Sequence, residues 1–100
     1  DVDSCAHWQG VQMGHAAANI IPVIAANRVG IEEGKSCSLN FYGSSFMTEH
    51  TGKKIAEASR DKEEILYAQY DLKNNKILRD YWAVFQDRRP ECYTRLTEEN

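Results

Sequence analysis

Several things are scarce in this sequence, and each scarcity removes a class of answer. Two prolines and six glycines in 100 residues exclude collagen-like and proline-rich linker chains. No apolar run is long: Ala16 to Ala26 is interrupted by Asn19 and falls short of the ~20 residues a spanning helix needs, so no membrane partner is expected. Basic charge is not in excess, with 12 Lys and Arg against 15 Asp and Glu. That balance gives no strongly basic face for a nucleic acid. Cysteine is sparse and unpatterned: Cys5, Cys37 and Cys92 are odd in number and form no CxxC, which predicts three free thiols in a reducing, cytoplasmic compartment. The opening Asp1-Val2-Asp3-Ser4 has neither an initiator Met nor a basic signal region, so a piece of a longer protein is expected.

What is present is ordinary globular material for one small domain, 42% hydrophobic and 27% charged. Residues 4 to 19 read as a helix, capped by Asp3 or Ser4, with Trp8, Val11, His15 and Ala18 as its stripe. Gly10 and Gly14 fall on one side of it, where a neighbour could pack closely. Ile20 to Val29 reads as a strand covered on both faces, with Pro22 near its start. Gly30 to Ser36 reads as a polar turn. Short strands follow at Cys37 to Tyr42, Ser45 to Glu49 and Lys54 to Ala58, with Glu49-His50-Thr51-Gly52 as a hairpin turn that puts Gly at positive φ. Ile65 to Tyr70 reads as a buried strand. Asp71 caps a second helix from Leu72 to about Asp80, and Pro90 stops any continuation. The expected fold is therefore α/β, in the order helix-strand-hairpin-strand-helix-tail, with residues 86–100 as the tail. Too few strands are present to cover both helices, so the sheet is expected to continue in residues outside this chain.

Chemical motifs are few. His7, His15 and His50 have no partner at metal-ligand spacing, and no metal or other cofactor is expected. No Walker pattern, GxGxxG or GxSxG is present, so Ser44 and Ser45 have no nucleophile context. A reactive thiol needs an adjacent base or cation, and only Cys37, near Lys35, has one; an inert thiol is the simpler account. Arg88 and Arg89 are too short a run for nucleic acid and read as locks on nearby carbonyls and carboxylates.

Three stretches together resemble the carbon–nitrogen hydrolase (nitrilase) superfamily. They are Gly14 to Gly30, containing Ala26-Asn27-Arg28-Val29-Gly30; Phe41-Tyr42-Gly43-Ser44-Ser45-Phe46 followed by Thr51-Gly52; and Trp82 to Pro90 with Tyr93. The pairing of Asn-Arg-Val-Gly with Phe-Tyr-Gly-Ser-Ser-Phe is specific, while Arg-Arg-Pro is shared more widely. Glu49-His50 stands where the family often has Asp-Pro, which loosens only the expectation for that turn. The resemblance covers nearly the whole chain, and only the C-terminal part of a family enzyme.

The resemblance implies that residues 1–100 are the C-terminal portion of a four-layer α-β-β-α sandwich. It implies a Glu-Lys-Cys triad in which cysteine attacks, glutamate moves protons and lysine stabilises the oxyanion. That triad would lie N-terminal to this chain; no catalytic residue is assigned here, and the 100 residues alone should be inactive. The implied substrate is a small carbamoyl-amine, and the full-length protein should be a homo-oligomer. Asn27 and Arg28, at the end of a strand, are the substrate-binding candidates. The competing reading has Asn27 satisfying loop backbone and Arg28 pairing with Glu32 or Glu33. Trp82, Phe85 and Tyr93 are interface candidates, or else packed within the chain. Two other functions stay open: a different amidase of the superfamily, or a non-catalytic dimerising module.

Overall fold

A computed structural model describes residues 2–98; Asp1, Glu99 and Asn100 lie outside it, so the expected tail is described only as far as Glu98. The first helix, α1 (Cys5–Asn19), starts where the Asp3 carboxylate accepts from the Cys5 amide; Ser4 occupies the cap position without a side-chain bond. Its buried face is Cys5, Gln9 and Ala16, continued by Ile20. The predicted stripe is thus rotated: Trp8 is half-buried, and Val11, His15 and Ala18 are exposed. Polar Gln9 takes the inward position because both its amide N–H groups and its amide oxygen find partners there. Gly10 and Gly14 have open space around them rather than a close neighbour. Ile20 ends the helix in the left-handed region at φ 50°, and the amides of Ile20 and Ile21 close back on Ala17 and Ala16. This is the usual glycine-type helix stop built with a β-branched residue, at a cost of roughly 1–2 kcal/mol.

The long predicted strand at Ile20 to Val29 shrinks to β1 (Ile24–Ala25). Ile20 is spent on the helix cap, and Pro22 brings no amide. Val23 is tied to Thr48 through both a backbone bond and the Thr48 hydroxyl, and the chain turns at Asn27. The predicted turn at Gly30 to Ser36 is instead mostly strand: β2 (Val29–Glu33) pairs antiparallel with β3 (Ser38–Tyr42) as a separate two-stranded ribbon. Then β4 (Phe46–Thr48) lies between β1 and β5 (Lys54–Glu57), antiparallel to both. Gly52, at φ 87°, makes the β4–β5 turn as expected and packs so tightly on α1 that a Cβ would meet the Met13 carbonyl at 2.6 Å.

The core is small. Phe46 and Thr48 are fully buried under α1, with Trp8 edge-on to Phe46 at 5.4 Å. A bulge between β4 and β5 puts Lys54 and Glu57, three residues apart, on the same α1-facing side. There Gln9 bonds both, through Lys54 Nζ to Gln9 Oε1 and Gln9 Nε2 to Glu57 Oε1, each at 2.9 Å. The same bulge turns Ile55 and Ala56 together toward the other face, beside Met47 and Ile24. Among the described residues nothing covers that face, and Ile24 is 62% exposed.

Residues 65–70 are not the buried strand predicted. They form no ladder, although β1, β2, β3 and β5 each keep a free edge, and Ile65 and Tyr67 are largely exposed. Helix α2 (Leu72–Tyr81) follows with the predicted Asp71 cap accepting from the Lys73 amide. Its tie to α1 is Arg79, which donates to the Asn19 carbonyl at 2.7 Å. Two 3-10 turns, Pro90–Cys92 and Thr94–Leu96, end the described chain. The observed order is helix, short strand, ribbon, hairpin, helix and tail.

Candidate functional site

Three chain segments meet where the ribbon leaves the three-stranded sheet: residues 27–28, 43–45 and 58–60. Gly43 and Ser44 are both left-handed there, at φ 56° and 57°. The chain can pass only because residue 43 lacks a side chain: a Cβ would lie 2.6 Å from Val29 and 2.8 Å from the Ser59 carbonyl. Ser44 is 2% exposed; its amide donates to the Ser59 carbonyl, its hydroxyl to the Tyr42 carbonyl, and its own carbonyl accepts from Gln9. A non-glycine residue held at positive φ in a buried junction is strained, and such strain persists only where the surroundings fix it.

Asn27 is the centre of this junction. Its amide N–H donates to Ser45 Oγ at 2.8 Å, and Ser45 Oγ lies 3.4 Å from the Asn27 carbonyl, to which it donates in turn. Its side-chain Nδ2 donates to the Gly43 carbonyl at 2.8 Å, and its Oδ1 accepts from the Arg28 amide at 2.9 Å. Gly43 N–H returns a bond to the Arg28 carbonyl. Above the junction lies a cleft of about 390 Å³ walled by Asn27, Arg28, Ser45, Lys62, Glu63 and Glu64. The structure thus brings Asn27 and Arg28 to one cleft and adds charges of both signs.

Arg28 is engaged locally. Its guanidinium pairs with Glu32 and sits over the Phe41 ring at 4.4 Å. The backbone-satisfying role for Asn27 and the Glu32 pairing for Arg28 are both realised, alongside their place on the cleft wall. Ser45, Gly43 and the 58–60 segment carry no recognisable motif chemistry. Gly43 and Ser45 lie in the Phe-Tyr-Gly-Ser-Ser-Phe stretch, whose one glycine and two short hydroxyl side chains suit a tight crossing.

Trp82, Phe85 and Tyr93 are 64%, 51% and 43% exposed, so they do not pack into a core of this chain. Phe85 takes the guanidinia of Arg79 and Arg88 on its ring, and the Tyr93 hydroxyl accepts from the Arg89 amide. Arg88 donates to the Phe85 carbonyl and Arg89 to Glu91, the local locking expected of both. Cys5 is buried and Cys37 and Cys92 are exposed, all as free thiols. Among the described residues no three His, Cys, Asp or Glu side chains gather as a metal site, and no helix is long and apolar enough to cross a membrane.

The carbon-nitrogen hydrolase family model matches residues 4–79. A citrullinase from Francisella tularensis (strain SCHU S4) is 51% identical over 96% of this chain and 34% of its own length. An N-carbamoylputrescine amidase from Arabidopsis thaliana is 45% identical over 92% of this chain and 32% of its own. The crystal structure of a carbon-nitrogen hydrolase from Helicobacter pylori G27 superposes with a TM-score of 0.82 at 40% identity, covering 93% of this chain and 33% of that one. The chain spans about a third of the length of the curated relatives it matches.

Proposed function

This chain belongs to the carbon-nitrogen hydrolase family, and from that premise we propose that it is the C-terminal segment of an amidohydrolase that cleaves the terminal ureido group of a small carbamoyl-amine. The observation that carries this reading is identity of 45–51% across nearly the whole chain with two enzymes whose names specify ureido compounds. Those compounds are close kin: N-carbamoylputrescine is citrulline without its carboxylate. In either case water splits the ureido group into the free amine, ammonia and carbon dioxide.

N-carbamoylputrescine is the substrate we favour, which would place the enzyme in polyamine biosynthesis. A carboxylate-bearing substrate needs a cation free to meet it. Of the two cations on the cleft wall, Arg28 is already held by Glu32 and Phe41, and Lys62 is outnumbered there by Glu63 and Glu64, which suit a substrate whose only charge is an ammonium. Citrulline is the second reading, favoured by the 51% identity to the citrullinase. In the proposed whole enzyme the Glu-Lys-Cys triad precedes this segment. A second sheet would cover the apolar face of Ile24, Met47 and Ile55, making the four-layer sandwich. Trp82, Phe85 and Tyr93 would anchor a homo-oligomer, and the protein would be cytoplasmic.

Ammonia release by the full-length enzyme from N-carbamoylputrescine and from citrulline tests the proposal. We expect kcat/KM higher for N-carbamoylputrescine by roughly ten-fold or more, the scale set by one unpaired charge. The opposite ranking selects the citrulline reading. No release from either would refute ureido hydrolysis.

A further inference from the structure

We propose that Ser45 is a positioning residue that holds Asn27 so that the unused half of its amide faces the polar end of the substrate. The inference rests on the reading of the Asn27 cleft as the substrate site, and deepens it. Asparagine offers two N–H donors and two acceptor lone pairs. The junction consumes one of each, through the Gly43 carbonyl and the Arg28 amide. Those partners also fix which way the amide points. Flipped, it would set oxygen against the Gly43 carbonyl and N–H against the Arg28 N–H, two repulsive contacts. One N–H and one lone pair remain, on a half-buried side chain in the cleft wall. A ureido group, with a carbonyl acceptor flanked by N–H donors, is complementary to that pair.

Ser45 controls where this amide sits. It is the side chain that binds the Asn27 backbone, accepting from its N–H and donating to its carbonyl. Its own backbone is clamped on the far side, where its carbonyl accepts from the Ala58 amide at 2.7 Å. The preceding left-handed pair at Gly43 and Ser44 aims the Ser45 hydroxyl across the junction. Without that hydroxyl the Asn27 N–H loses its partner, and residue 27 is free to shift. A displacement well under 1 Å is enough to spoil a two-point contact with a planar group. An interaction made equally in ground and transition states appears in KM rather than kcat.

The experiment compares Ser45→Ala, Ser45→Thr, Asn27→Ala and the Ser45→Ala/Asn27→Ala double variant in the full-length hydrolase. KM and kcat are read from ammonia release with N-carbamoylputrescine and with citrulline, and melting temperatures are recorded alongside. We expect Ser45→Ala to raise KM on the order of three- to ten-fold, the loss of one hydrogen bond's worth of binding, with kcat within about two-fold. Ser45→Thr, which keeps the hydroxyl, should restore KM. The double variant should bind no worse than Asn27→Ala alone, because both changes act through one contact. If Ser45→Ala leaves too little folded enzyme, the nearly isosteric but poorer hydrogen-bonding Ser45→Cys supplies the same readout. A raised KM for Asn27→Ala with an unchanged KM for the folded Ser45 variants, or fully multiplicative effects, overturns the positioning role and leaves the cleft assignment standing. An unchanged KM for Asn27→Ala with both substrates overturns the cleft assignment and the inference with it.

Discussion

Glu57 shows how a single side chain can tie a helix to a sheet and make that tie sensitive to acid. Its carboxylate lies 2.5 Å from Lys54 Nζ and 2.9 Å from Gln9 Nε2. The bond from Lys54, then that from Gln9, holds its pKa below the ordinary value of 4.5 against the opposing effect of partial burial. A carboxyl depressed on folding binds fewer protons folded than unfolded. Its contribution is therefore complete above the ordinary value and is lost as the pH falls through the lower, folded one. The site is partly open to solvent, so the contribution is modest. Melting curves of the full-length protein between about pH 6 and pH 3, in wild type and Glu57→Gln, read this directly. Glu57→Gln should melt lower at the upper end and converge on wild type at the lower end. A constant gap would mean that ionisation of Glu57 does not matter. Asp3, held low first by the Cys5 amide and also by Arg60, adds acid sensitivity that persists in both proteins.

Helix α1 offers a cleaner test at the scale of an element. Gly10 and Gly14 sit in its interior, and a Cβ at either would meet nothing within 4 Å. Replacing each by Ala should stabilise the fold by roughly 0.5–1 kcal/mol through backbone entropy alone, read as a rise in melting temperature. A fall would mean that another chain or another part of the protein packs against those glycines, as the sequence alone suggested. What was legible before the structure follows the same logic of local versus distant causes. Both helices, the Asp71 cap, the Gly52 turn and strands β3 to β5 are set by caps, breakers and alternation, which act over a few residues. The face of α1 is rotated from the apolar stripe because polar Gln9 points inward beside Trp8 while Val11, His15 and Ala18 face out, and what rewards Gln9 there is Lys54 and Glu57, more than forty residues away. Ile20 to Val29 is apolar enough for a covered strand, yet Ile20 caps a helix and Asn27 turns the chain into a junction with Gly43 and Ser45. Composition reported the apolar content of that stretch correctly and said nothing of its partners. The cleft was legible in part: Asn27 and Arg28 were named, but Ser45 is recognisable only once three segments are seen to cross.

The whole molecule is a plate. Its extents are 50 × 44 × 17 Å and its radius of gyration is 18.0 Å, where a compact chain of this length has about 13 Å. It exposes 8270 Å² of surface. A folded monomer of its mass exposes about 5,800 Å². The excess is on the scale of a large obligate interface. It is also apolar in the places that matter: Ile24 and Ile55 on one sheet face, Ile65 and Tyr67 along an extended segment, Leu72 and Ile77 on α2, and Trp82 beyond it. Among the described residues the buried apolar core is Cys5, Ala16, Ile20 and Phe46, which buries too little to offset the conformational entropy of ordering residues 2–98. Residues 2–98 therefore have the shape of a slab whose apolar faces call for a cover, which the proposed hydrolase segment would find in the rest of its enzyme and a dimerising module in a second copy. The two readings part in a simple measurement on the isolated 100-residue chain. A slab without its cover should bind a hydrophobic dye strongly, run as a broad or aggregated species, and unfold in urea with a shallow slope, because little surface is newly exposed. A module should give a single sharp species, little dye binding, and a steep cooperative transition of the size expected for its length. The second outcome would mean that the exposed apolar faces meet one another in solution, and that the chain stands as a dimer of its own.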